Sequence, residues 1–222
     1  MIRRIVDLSI PLGPETQVYP DDPVPSFRPA FRIETDRFNV LTIELGTHSG
    51  THVDAPYHFV ADGARVEELD PRLFVGPGVI ADVTGLEDRA PIGWERLAPY
   101  AEHLRPGTIL ALRTGWSELH HGTERYFDHP YLSEEACERV LDLGVRTLAV
   151  DTLDPDETIL DGREPAWDVH RLVLGTGGVI AENLTNPGAV TFDDPVLCLL
   201  PLRLSGDADG SPCRAVAFEM RD

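Results

Sequence analysis

Seven short runs rich in valine, isoleucine and leucine set the frame for this chain, at residues 40–45, 78–83, 108–113, 147–151, 179–182, 196–202 and 214–220. Aliphatic and β-branched runs of this length suit the interior of a sheet, where branched side chains pack on a pleated surface. The first of them alternates, which puts Leu41, Ile43 and Leu45 on one face. One helix is well signalled over 134–143. Ser133 is its N-cap, Glu134 and Glu135 bring negative charge to the first turn, Val140, Leu141 and Leu143 supply apolar surface, and Gly144 is the stop. A strand run begins three residues later, a helix-to-strand step typical of mixed α/β architecture. A second, shorter helix is expected over 167–174, ending before Gly175-Thr176-Gly177-Gly178. The first thirty residues hold Pro11, Pro14, Pro20, Pro23, Pro25 and Pro29, so they cannot be helical and are expected as extended chain and turns. The 222 residues contain no internal repeat, low-complexity tract or linker, and one α/β domain spanning 1–222 is expected.

Charge narrows the partners. The formal net charge is −19, from 38 acidic and 19 basic residues, and so acidic a surface repels phosphate backbones; nucleic acid is not an expected partner. No apolar run approaches the roughly 20 residues that cross a bilayer. Asp7 and Pro11 interrupt what would be the apolar centre of a signal peptide, so a soluble, cytoplasmic protein with no membrane partner is expected. Cys137, Cys198 and Cys213 are widely spaced and form no Cys-x-x-Cys, which excludes the common structural zinc motifs. Cys198 and Cys213 lie in apolar runs and are expected as buried free thiols.

The chemistry concentrates in His48-Ser49-Gly50-Thr51-His52-Val53-Asp54-Ala55-Pro56-Tyr57-His58. A helix would bring His48 and His52 together but turn Asp54 away, and Gly50 and Pro56 also oppose a helix. A tight loop at the end of strand 40–45 is the expected carrier, with Gly50 giving the turn and Pro56 stiffening the exit. A lone histidine is usually a surface or satisfied core residue. Two imidazoles and a carboxylate in so short a stretch are instead a common set for a catalytic divalent ion, and nitrogen and oxygen donors without thiolate suit zinc or manganese. His58 is the proton-transfer candidate, because histidine's ordinary pKa of about 6.5 lets it exchange protons at neutral pH.

The pattern His-x-Gly-Thr-His-x-Asp-x-Pro-x-His resembles the signature of the cyclase-like metal-dependent hydrolases, which include bacterial kynurenine formamidases and isatin hydrolases. Asp7-Leu8-Ser9-Ile10-Pro11-Leu12 resembles that family's opening strand, and Tyr19-Pro20-Asp21-Asp22-Pro23 its proline turn. Arg113-Thr114-Gly115-Trp116, Val150-Asp151-Thr152, His170 and Glu182-Asn183-Leu184 follow in order. Two positions depart from the pattern: Asp21 stands for the usual glycine and Asp154 for the usual serine, neither expected to touch the ligands.

The resemblance implies a mixed sheet of swivelling β/β/α type. It implies His48, His52 and Asp54 as ligands of a first ion, and Asp54 bridging to a second held by His170 and Glu182, though one ion suffices in isatin hydrolase-like members. It implies homodimers or homotetramers, with the proline-rich arm reaching a neighbouring subunit. The expected activity is hydrolysis of an aromatic amide by metal-activated water, with His58, helped by Glu182, protonating the leaving nitrogen. N-formylkynurenine or a similar N-formyl arylamine is the leading substrate. Ring opening of a cyclic amide or lactone is the alternative, and a non-catalytic metal-binding protein of the same fold the reading from another class. Tyr19, Phe59, Trp94 and Trp116 are aromatic candidates for the pocket, most of them expected to be packing residues.

Overall fold

A computed structural model describes residues 1–220. Its strands are β1 (Ile2–Asp7), β2 (Ser26–Phe31), β3 (Val40–Glu44), β4 (His52–Asp54), β5 (Val75–Asp82), β6 (Pro91–Ile92), β7 (Ile109–Arg113), β8 (Tyr131–Leu132), β9 (Thr147–Val150), β10 (Val179–Glu182), β11 (Val196–Cys198), β12 (Gly210–Pro212) and β13 (Val216–Met220). Nine of them form one mixed sheet in the order β1-β13-β11-β5-β7-β9-β10-β4-β12. The central β5, β7, β9 and β10 run parallel, and the pairs on either flank are antiparallel.

The parallel centre explains why its runs are aliphatic without alternation: both faces are covered. Leu110, Leu112, Leu148, Val150 and Ile180 face a core shared with Val140, Val169 and Val173 of the two longest helices, Glu134–Asp142 and Asp168–Gly175. The intervening Ile109, Ala111, Ala149, Val179 and Ala181 face the opposite core, with Phe74, Leu197 and Leu199. The first helix starts as expected, the Ser133 hydroxyl accepting from Ala136 N at 3.3 Å. The second starts one residue late, at Asp168, because Trp167 has φ +55°, outside the helical region.

Several expectations need correction. Run 40–45 is not part of the main sheet. Among the described residues β3 pairs only with β2, in a separate hairpin, and Leu41 and Ile43, expected to share one face, are 50% and 51% exposed. The opening strand lies at Ile2–Asp7, ahead of the expected stretch, and beyond it only Ser9 makes an isolated bridge, to Leu184. Run 196–202 pairs only as far as Cys198, and Pro201, with no N–H to donate, makes a single bridge to Cys213. The three cysteines are free, but Cys137 is the buried one, while Cys198 and Cys213 are half-buried. Among the described residues no helix is long and apolar enough to cross a membrane.

Candidate metal centre

The histidine segment is a loop following β3 only as far as Thr51. Residues 45–51 turn, with Gly50 at φ +68°, and His52–Asp54 is itself a strand of the main sheet between β10 and β12. This corrects the expected carrier, and the reason is the strand's period of two. His52 and Asp54 point to one face while Val53 packs into the core on the other. In the antiparallel register with β10, Glu182 lies directly opposite His52, which brings a residue 130 positions away onto the same face. His170 arrives from the first turn of helix Asp168–Gly175. Asp156 fastens that turn, accepting from Val169 N at 2.8 Å and His170 N at 3.0 Å.

The five residues expected as ligands meet here, and all but half-buried His48 are buried. Asp54 divides its oxygens. Oδ1 is 2.7 Å from His48 Nδ1 and 3.3 Å from His52 Nε2, whereas Oδ2 is 3.5 Å from His170 Nε2. Glu182 stands between the histidines, with Oε2 3.3 Å from His52 Nε2 and Oε1 3.4 Å from His170 Nε2. Two donor triplets result, His48–His52–Asp54 and Asp54–His170–Glu182, sharing the Asp54 carboxylate.

Does this set fit a divalent cation? Donors bound at about 2.1 Å around a tetrahedral ion lie about 3.4 Å apart, the separation most of these atoms have. His52 Nε2, Asp54 Oδ2 and Glu182 Oε1 are buried with no hydrogen-bond partner among the described residues, a costly arrangement unless a cation takes them. Each imidazole is also held by its other nitrogen. His52 Nδ1–H donates to Gly50 O at 2.8 Å, His170 Nδ1–H to Asp156 Oδ2 at 2.7 Å, and His48 Nε2–H to Asp209 Oδ2 at 3.1 Å. That outer hydrogen bond fixes the tautomer and leaves the inward lone pair for a metal. The set fits.

Electrostatics points the same way. Burial opposes charge on His48, but Asp54 and Asp209 outweigh it and hold its pKa at about 9. Burial likewise opposes charge on His52 and His170, yet their carboxylate neighbours raise both well above the usual imidazole value. Burial pushes Asp54 up, and the facing histidines more than reverse it, leaving its carboxyl well below the ordinary range. The nest favours positive charge, which a divalent ion would supply in place of the imidazole protons.

A cavity of about 320 Å³ opens on this cluster, its further wall made by Tyr19, Asp22, Phe59, Asp154 and Trp167. Phe59 stacks on His170 with ring centroids 4.6 Å apart. Of the aromatic candidates, Tyr19 and Phe59 line the cavity, whereas Trp94 packs against the helix-side core and Trp116 against Tyr126 and Leu153. His58 closes the 3-10 turn Pro56–His58 at the cavity edge, its Nδ1 3.3 Å from Asp209 Oδ2. Asp154 lines the cavity with its Oδ1 3.8 Å from His170 Nδ1, too far for a hydrogen bond, so it stands beside the ligands without bonding to one. Asp21, with φ +73°, occupies the left-handed region that glycine favours and aspartate tolerates.

The family model described as a putative cyclase matches residues 6–157, which include the whole histidine segment. The chain belongs to that cyclase family. The kynurenine formamidase of Bacillus cereus (strain ATCC 14579) is 36% identical over 214 residues, 95% of each chain. Isatin hydrolase A from Labrenzia aggregata, solved with benzyl benzoate, superposes with a TM-score of 0.87 at 25% identity, covering 97% of this chain and 93% of that one. An isatin hydrolase bound to the product analogue thioisatinate also has a TM-score of 0.87, at 24% identity over 98% of this chain and 92% of that one. It shares the fold.

Four residues at the site escaped sequence reasoning: Asp22, Asp156, Trp167 and Asp209. Asp22 and Trp167 carried no spacing signal. Asp156 could have been suspected as an acid preceding a helix that carries a histidine. Asp209 is 151 residues from His58 and reads as an ordinary Asp-Gly turn.

Proposed function

We propose that this protein is a metal-dependent amide hydrolase acting as an arylformamidase on N-formylkynurenine or a similar N-formyl arylamine. The chain acts as one catalytic domain, residues 1–222. The observation that carries the reading is the divided Asp54 carboxylate, one oxygen toward His48 and His52 and the other toward His170, beside an aromatic-walled cavity edged by His58. A formamidase relative aligned over 95% of the chain supports the choice of substrate class.

His48, His52, Asp54, His170 and Glu182 are the residues that would hold one or two ions, zinc first and manganese as the alternative. A divalent ion there supplies Lewis acidity, polarising a carbonyl and acidifying water. The chain's own residues do the rest. Phe59 and Trp167 present aromatic surface to an aryl group. With its Nδ1–H given to Asp209, His58 keeps Nε2 as the atom that carries a proton to the leaving nitrogen. Water oxygen joins the formyl carbon, the C–N bond breaks, the proton goes to nitrogen, and formate and arylamine leave. Glu182 turns both oxygens to imidazoles, so its part is in ligation more than in proton transfer.

Formate release from N-formylkynurenine, run beside metal analysis and isatin opening, tests the reading. Isatin opening without formate release would favour the lactam alternative, which the isatin hydrolase A neighbour supports. Stoichiometric metal with no hydrolysis of either would favour a binding protein. In this reading the enzyme is cytoplasmic and a homodimer or homotetramer. The exposed Phe31, Leu41 and Ile43 of the β2–β3 hairpin support assembly, and sedimentation checks it.

A further inference from the structure

Asp209 lies in no motif, yet it is tied to the histidine segment by side chain and backbone. Its Oδ2 faces His48 Nε2 at 3.1 Å and His58 Nδ1 at 3.3 Å, and its Oδ1 accepts from the Thr47 hydroxyl at 2.8 Å. Its backbone oxygen accepts from Ala55 N at 2.8 Å. The next residue, Gly210, pairs with Asp54 across β12 and β4, and a Cβ there would sit 2.7 Å from His48 Cε1 and 2.9 Å from Val53 O. Only glycine lets the strand pass close enough for Asp209 to reach both rings. The rings of His48 and His58 lie with centroids 4.0 Å apart, and among the described residues the His58 side chain has no other hydrogen-bond partner.

We propose that Asp209 is a positioning residue serving two histidines with one oxygen: it orients His48 for the metal and His58 for proton transfer. The second half rests on the formamidase reading; the first does not. A carboxylate behind a ligating imidazole typically accounts for about 10–100-fold in metal affinity. The His58 half acts on kcat, because orienting a proton donor matters in the transition state more than in binding.

The test uses the full chain. Zinc affinity of Asp209→Asn, read by chelator competition, should fall about 10–100-fold in both the parent and the His58→Ala background. At saturating zinc, Asp209→Asn should lower kcat for formate release about 10-fold or more with KM within about twofold, and should lower it no further in the His58→Ala background. Unchanged zinc affinity overturns the proposal, as does an equal loss of kcat in both backgrounds. Should the parent release no formate, the functional reading fails while the zinc measurement still decides for or against Asp209. Should Asp209→Asn not fold, Thr47→Val takes its place: an affinity lowered severalfold supports the proposal and an unchanged one overturns it.

Discussion

Strands β3 and β4 lie close in sequence and invert one another. β3 carries a clean apolar alternation, yet Leu41 and Ile43 are half exposed on a two-stranded hairpin. β4 reads His-Val-Asp, and all three residues are buried in the main sheet. Alternation states which residues share a face, not whether that face is covered. Burial of polar groups is the more informative departure, since it is costly unless something satisfies them. In the proposed reading a cation would satisfy them in β4, and a partner subunit would cover the apolar face of β3.

The sharpest way to break this contrast is to remove the shared carboxylate. Asp54→Ala should strip the metal and lower formate release about 10³-fold or more, the scale of losing a Lewis acid worth several kcal/mol. Metal analysis beside the assay checks it, and full metal content in that variant would defeat the assignment. His58→Ala should retain its metal and lose about 10²–10⁴-fold in kcat, so unchanged turnover would remove His58 from proton transfer.

Buried polar residues outside the site should answer to pH instead. Burial pushes His129 down from 6.5 to about 4, while Nδ1–H donates to Pro130 O at 3.0 Å and Nε2 accepts from the Thr158 hydroxyl at 2.8 Å. A histidine held neutral favours the folded state fully above pH 6.5, and that contribution is lost as pH falls from 6.5 through about 4. The loss amounts to about 3 kcal/mol. Denaturation midpoints of parent and His129→Asn should therefore converge as pH is lowered across that window; parallel curves would contradict it. The smallest effect is expected on β3. Ile43→Thr should leave unfolding within about 0.5 kcal/mol of the parent while weakening self-association in sedimentation.

The central strands were legible in the sequence, though not their parallel order, because segments buried on two faces must be mostly apolar, and residues 79–81, 109–112, 148–150 and 179–181 are. Five site residues were legible through His-x-x-x-His-x-Asp and a family resemblance, but not the geometry joining them. That geometry depends on β10 lying antiparallel to β4, a pairing that no local pattern encodes. The carrier strand was misread for the same reason: three residues are too few to show a period. Asp156 left only a faint signal, an acid ahead of a histidine-bearing helix, and Asp209 none, because a carboxylate behind an imidazole has no spacing rule; it needs only to arrive.

Asp209 and β12 follow every other part of the site in the sequence. The strand that carries His52 and Asp54 gains its second neighbour only from Gly210–Pro212, near the far end of the chain. A ribosome has therefore made residues 48–58 long before it makes the segment that closes over them. Until then His48 and His58 lack the Asp209 carboxylate that faces them. In the proposed reading, a product ending before β12 would carry all five donors and yet hold the ion less tightly than the whole fold.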